Sequence, residues 1–297
     1  MSGAWDQFWT DEQRKGGGGC LSARWQGIDA VQRQAWQAFA RILPKGARVL
    51  DLATGDGRVM GWLVGCRRDL KPVGIDLAKH IPEPPKGCRS RGGIAMEALP
   101  FKDGSQDAVV SQFGVEYGRL GAVLREIARV SKRSARVGLM THRLDGPILE
   151  HNRSRRSGLN WVLDDADLIS KARASLALRG LAAGLPPAIA TAPAEAKVRF
   201  GAGSGGWELA EAIVQTLVLG HRDRSDEVLR LLGVLEAKAY NEIGRINSLE
   251  GACRAVADSE ALKALFATCG LRLEAQRPIE ETGSGRAFAD MWILRRL

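Results

Sequence analysis

The run Arg48-Val49-Leu50-Asp51-Leu52-Ala53-Thr54-Gly55-Asp56-Gly57-Arg58, followed by Gly74-Ile75-Asp76, holds the residue types of a ligand cradle. Alternating apolar residues stop at a small, glycine-containing turn, and a new periodic segment starts near Gly57. A second apolar stretch then ends in the Asp76 carboxylate, 19 residues beyond Gly57. Gly55 and Gly57 let the backbone turn sharply and approach a ligand that any Cβ would obstruct, while a helix starting there aims free N–H groups at the same spot. Asp76, leaving the second strand, can accept hydrogen bonds from both hydroxyls of a ribose. A tight strand-to-helix turn without a ligand shares the glycines. The acidic strand end at this distance marks a nucleotide-binding βαβ unit instead.

These residues resemble the class I S-adenosylmethionine (SAM)-dependent methyltransferases, whose first motif is acidic-x-Gly-x-Gly-x-Gly. Here it reads Asp51-x-Ala53-x-Gly55-x-Gly57, with alanine at the first glycine. The stretch Ala98-Leu99-Pro100-Phe101-Lys102-Asp103-Gly104-Ser105-Gln106-Asp107-Ala108-Val109-Val110-Ser111 is similar to the entry into the fourth strand of the small-molecule, type 11-like branch. Leu124-Arg125-Glu126-Ile127-Ala128-Arg129-Val130 is similar to the helix that follows it. The resemblance implies SAM as the cofactor, held by Asp51, Ala53, Thr54, Gly55 and Gly57 at the first turn. It further implies Asp76 and Leu77 after the second strand, Met96 and Glu97 beside the adenine, and Gln112 and Phe113 at the fourth-strand exit. Two departures stand out. Ala95-Met96 replaces the usual Asp-containing pair at the adenine, and Ser131-Lys132-Arg133-Ser134-Ala135 replaces a Lys-Pro-Gly-Gly turn before the fifth strand.

In that fold the acceptor sits where the fourth and fifth strands end. His142 follows the fifth strand, and histidine's unperturbed pKa of about 6.5 suits a general base near neutrality. Glu116 and Tyr117, just past the fourth strand, are expected to face the acceptor. A carboxylate there needs either solvent or a partner. His151 is the other candidate base, against a surface or capping role for either residue. His80 is expected near the ribose end of the cofactor, and His221 has no indicated role. Catalysis then consists of excluding water, aligning acceptor, methyl and sulfur, and removing a proton when the acceptor is a hydroxyl. The sequence shows no dense Asp/Glu/His cluster, so no metal is expected.

The remainder of the chain must position these groups. Its 297 residues are 45% hydrophobic and 26% charged, as in a soluble globular protein large enough for a main domain and an elaboration. Cys20, Cys66, Cys88, Cys253 and Cys269 are odd in number and widely spaced, which reads as reduced thiols in a cytoplasmic protein. Asp6, Asp11 and Glu12 argue against a signal peptide, and Arg179 with Pro186-Pro187 interrupts the most apolar stretch, Ala174 to Ala194, so no membrane span is expected. The net charge of +9 is spread unevenly. Residues 151–200 hold eight basic and four acidic side chains and residues 201–250 the reverse, five and eight. A basic cluster at Arg143 to Arg156 is the one candidate surface for nucleic acid, with a solvated face as its plainer reading.

The organisation expected is an α/β, Rossmann-like seven-stranded methyltransferase sheet with a large, mostly helical insertion after the fifth strand. Residues 1–44 form an N-terminal helical cap. Within it Trp5, Phe8 and Trp9 share one face, Gly16 to Gly19 form a break, and a second helix carries Ile28, Val31, Trp36, Phe39, Ala40 and Leu43. Residues 45–143 form the core, with strands near 48–53, 72–76, 89–94, 107–113 and 136–141. Residues 144–257 are the insertion, a substrate lid in which Gly201 to Gly206 is a mobile loop. Residues 258–297 supply a helix at 259–268 and strands near 271–277 and 287–294. The function implied is methyl transfer to an O or N atom of a small molecule, with a homodimer as the oligomeric alternative. RNA methylation through the basic cluster and an inactive SAM-binding scaffold are the alternative functions.

Overall fold

The computed structural model describes Trp5, Phe8, Trp9 and residues 26–177, 184–220 and 224–297. Gly16 to Gly19, Cys20, Arg179 and His221 lie outside these residues.

Two compact units emerge, one built from residues 1–147 with 248–297 and the other from 148–247. The first contains a seven-stranded sheet in the order β3-β2-β1-β4-β5-β7-β6. Its strands are β1 (Arg48–Leu52), β2 (Lys71–Ile75), β3 (Arg89–Arg91), β4 (Gln106–Gln112), β5 (Ser131–His142), β6 (Leu271–Glu280) and β7 (Ala287–Arg296). Strands β1 to β5 pair in parallel, and β7 enters antiparallel between β5 and β6. The chain order reverses between β1 and β4, which makes the carboxyl ends of those strands the crevice where ligands bind in open α/β sheets.

The alternation of residues on β5 divides the packing. Val137 and Leu139 join the main core with Leu124 and Ile127 of α3 (Leu120–Val130) and Phe266 of α10 (Ser259–Thr268). Gly138 points the other way, toward α1 (Gln26–Arg41). A Cβ there would lie 3.0 Å from Phe39 and 3.1 Å from Trp36, so the glycine is what lets two aromatic rings seat on the strand. Strand β5 starts earlier than the sequence suggests. Ser131 pairs with Gln106 before a register shift, and Ser134 takes φ +63 at the irregularity, so the expected turn at 131–135 is a kinked strand opening.

The second unit is helical: α4 (Pro147–Asn160), a π-helical turn at Trp161–Asp165, α5 (Leu168–Ala177), the short α6 (Pro187–Ala190), α7 (Ala192–Phe200), α8 (Gly205–Leu219) and most of α9 (Ser225–Ala255). Its own core includes Val162, Leu168, Ala210 and Ile213. The expected Gly201 to Gly206 loop is shorter in the structure. Gly205 and Gly206 are buried in the first turn of α8, where a Cβ on Gly206 would fall 2.8 Å from the Gly158 carbonyl oxygen, and only Gly201–Gly203 remain a turn. These two glycines serve a close helix contact. Among the described residues no helix is long and apolar enough to cross a membrane.

Candidate active site

Strand β1 delivers Asp51, fully buried, and ends in a turn whose backbone is left-handed at Ala53 (φ +53), Gly55 (φ +52) and Gly57 (φ +72). Thr54 donates its hydroxyl to Asp51 Oδ2 at 2.6 Å, so the carboxyl braces the turn from beneath. Burial raises the Asp51 carboxyl to about 7, against the lowering effect of the Thr54 bond and with smaller contributions from Asp56 and Asp76. Helix α2 (Arg58–Cys66) follows directly and presents its N-terminus at the turn.

Asp76, at the end of β2, ties the two crossovers together. Its Oδ2 accepts the Gly55 N–H and its Oδ1 the Ala78 N–H, both at 2.9 Å. A carboxylate is an acceptor suited to ribose hydroxyl donors as well as to backbone N–H groups. At Gly55 a Cβ would lie 2.5 Å from the Trp9 ring, and at Gly57 2.8 Å from Pro85. The space a Cβ would take at these glycines is already filled by the Trp9 ring and Pro85, so both glycines serve the close packing of the turn.

Strand β4 delivers the other half. Phe113 (φ +55) donates its N–H to the Met140 carbonyl, and its ring stacks on His142 with centroids 3.9 Å apart and planes at 24°. The 3-10 turn Val115–Tyr117 then folds Glu116 inward. Glu116 Oε1 lies 2.9 Å from His142 Nδ1 and accepts the His142 backbone N–H at 3.0 Å. Its Oε2 is buried without a partner. Tyr117 meets His142 edge-on, with centroids 6.1 Å apart, and meets Trp5 at 5.9 Å.

The 2.9 Å contact fits Nδ1 of His142 as the donor to the carboxyl oxygen, which makes Nε2 the nitrogen that can take a proton. The partner that a buried Glu116 requires is therefore the expected base itself.

The structure gives several of the expected residues structural duties. Gln112 Oε1 accepts from Trp36 Nε1 at 2.6 Å, anchoring α1 to the end of β4. Glu97 Oε1 accepts the Arg119 N–H at 3.0 Å and so caps the entry to α3. Met96 packs on the main core, whereas Leu77 is half exposed. His80 is exposed, and His151 lies in α4 of the helical unit. The Leu99 to Gly104 segment is fixed by α3. Glu126 accepts the Leu99 N–H, while Arg129 donates to the Leu99 and Phe101 carbonyls and pairs with Asp103.

Residues 50–138, from β1 into β5, match the family model described as a methyltransferase domain. Over this stretch the chain is similar to a methyltransferase domain. A malonyl-[acyl-carrier protein] O-methyltransferase of Methylococcus capsulatus is 27% identical over an alignment covering 41% of this chain and 49% of that protein, so the chain spans about half the length of this curated relative. Among solved structures, the Burkholderia thailandensis 1,6-didemethyltoxoflavin-N1-methyltransferase aligns over 99% of this chain and 88% of its own, at 8% identity and a TM-score of 0.46. A SAM-dependent methyltransferase from Aquifex aeolicus aligns over 89% of each chain at 10% identity, with a TM-score of 0.44.

Sequence reasoning missed Trp9 and Pro85 as neighbours of this site. The shared face of Trp5, Phe8 and Trp9 is visible in the sequence, but nothing in it links that face to Gly55 or Tyr117.

Proposed function

We propose that the methyltransferase domain transfers a methyl group to an O or N atom of a small molecule, and that its side chains favour a hydroxyl oxygen. The observation that carries this reading is the Glu116–His142 pair, held by the Phe113 ring at the strand ends next to the Gly55 turn. Bound at that turn, SAM supplies a sulfonium methyl already activated for displacement. Asp76 offers acceptors to its ribose hydroxyls, and Phe113 and Tyr117 supply apolar walls that keep water away. His142 Nε2 takes the acceptor proton, and Glu116 holds the imidazole in the tautomer that can do so and stabilises the imidazolium that results. Glu116 is thus a positioning residue, acting through His142.

The basic cluster supports a small acceptor over RNA. Arg143 is paired with Asp145 and Asp290, and Arg155 with Glu208 and Glu242, so these guanidinium groups are already engaged by carboxylates.

A labelling screen with a radioactive methyl donor, run over alcohols, phenols, amines and bulk RNA, tests the reading. Label is expected in a hydroxyl-bearing small molecule, with turnover falling about 100- to 10,000-fold in His142→Gln while SAM affinity holds. Label in RNA with a steep salt dependence, or an amine acceptor indifferent to His142→Gln, would overturn it.

A further inference from the structure

At the sheet edge opposite the Gly55 turn, where β4 and β5 begin and β7 ends, lies a cavity of about 560 Å³ bordered by Arg125, Arg129, Arg133, Arg296 and Ser131. Helices α3 and α10 both end beside it, and basic residues at helix C-termini commonly serve the last carbonyls. That duty accounts for two of the four arginines. Arg296 donates Nε to the Ala128 carbonyl and Nη1 to that of Gly270, and Arg129 is committed to Glu126, Asp103 and two carbonyls.

It does not account for the rest. Arg125 and Arg133 are exposed and, among the described residues, have no carboxylate within ion-pair distance; Arg296 has carbonyl partners only. Arg125, Arg133 and Arg296 thus border the cavity without a carboxylate partner of their own, and the one carboxylate side chain on its border, Asp103, is paired with Arg129. An α-carboxylate at Leu297, which also borders it, would offset one and leave two. Ser131 Oγ is buried in the same wall with no hydrogen-bond partner, the residue being 4% exposed, and a buried hydroxyl without a partner is costly. The volume falls in the range of small-molecule sites, about 300–1,000 Å³, and is generous for a single inorganic ion. Guanidinium groups match phosphate oxygens two at a time.

We propose that this cavity is a second binding site, for a multiply charged phosphate ester of nucleotide size, with its phosphates on Arg125, Arg133 and Arg296. The site is separate from the cofactor cleft. Strand β5 runs from Ser131 at this cavity to His142 at the other edge, and α3 leads from the Glu116 turn back to it.

Calorimetry with ADP on the full chain, at low salt and with S-adenosylhomocysteine saturating, tests the proposal. ADP is expected to bind in the presence of S-adenosylhomocysteine, and adenosine is not. Arg125→Ala with Arg133→Ala is expected to weaken ADP at least about tenfold. Both arginines are exposed, so the double variant is expected to fold and to bind S-adenosylhomocysteine unchanged. No saturable ADP binding at millimolar concentration, displacement of ADP by S-adenosylhomocysteine, equal binding of adenosine, or full ADP affinity in the double variant would each overturn it. Should S-adenosylhomocysteine itself fail to bind, the cofactor assignment falls, and the double variant's effect on ADP still decides this one.

Discussion

Glu116 holds His142 twice through one oxygen, at 2.9 Å to Nδ1 and 3.0 Å to the backbone N–H, across 26 residues of sequence. The side chain orients the imidazole and the end of β5 together. Glu116→Gln keeps the shape and removes the charge, so the imidazolium formed during turnover loses its counter-ion. Turnover is expected to fall about ten- to a thousandfold with SAM affinity intact. A structural role alone would lower the melting temperature and leave turnover at low temperature unchanged.

Asp51 gives a prediction about pH and stability. Its folded pKa, about 7, lies above the ordinary carboxyl value of 3.8, so folding favours its neutral form. The stability this confers is complete below about pH 4 and is lost as pH rises through 7. Asp51→Asn keeps an acceptor for Thr54 and has no charge to bury. It is therefore expected to gain on the parent between pH 5 and pH 8 by about 2–3 kcal/mol, since about two pH units of that window lie below the folded pKa. Denaturant unfolding at the two pH values measures this, and an unchanged gap would mean that Asp51 is ionised in the fold.

Gly55 and Trp9 form a coupled pair. Gly55→Ala places a methyl 2.5 Å from the Trp9 ring on a backbone at φ +52, and a loss of about 1–3 kcal/mol is expected from overpacking and strain together. Trp9→Ala removes the clash and leaves the strain, so a double-mutant cycle is expected to return a coupling of at least about 0.5 kcal/mol. Additive losses would place Trp9 away from the turn.

Within the helical unit two glycines are expected to respond with opposite sign. Gly206→Ala meets the Gly158 backbone and is expected to cost about 1–3 kcal/mol, whereas Gly233, in α9 with open space around it, is expected to gain about 0.5–1 kcal/mol on becoming alanine. Thermal unfolding of the two variants separates a packing glycine from a merely permissive one.

Much of this architecture is legible from local pattern. The glycines after β1, the carboxylate after β2 and the alternation along β4 and β7 follow from period and turn chemistry, which act over a few residues. The start of β5 does not, because Lys132-Arg133-Ser134 carry no strand signal and only pairing with β4 makes Ser131 a strand residue. The site divides in the same way. That Glu116 needed a partner follows from its place beyond a buried strand, but which partner is a matter of register between β4 and β5. The structural duties of Gln112 and Glu97 likewise arise from Trp36 and Arg119, which reach them only in the folded chain.

The most direct test of the cleft is calorimetry of the full chain with SAM, S-adenosylhomocysteine and NAD. SAM and S-adenosylhomocysteine are expected to bind saturably and NAD not at all. Asp76→Ala, which removes acceptors for two ribose hydroxyls and releases the Gly55 N–H, is expected to weaken SAM by about 1–3 kcal/mol, five- to a hundredfold. Binding of NAD without SAM, or full SAM affinity in Asp76→Ala, would contradict a methyl-donor cleft built on the turns after β1 and β2.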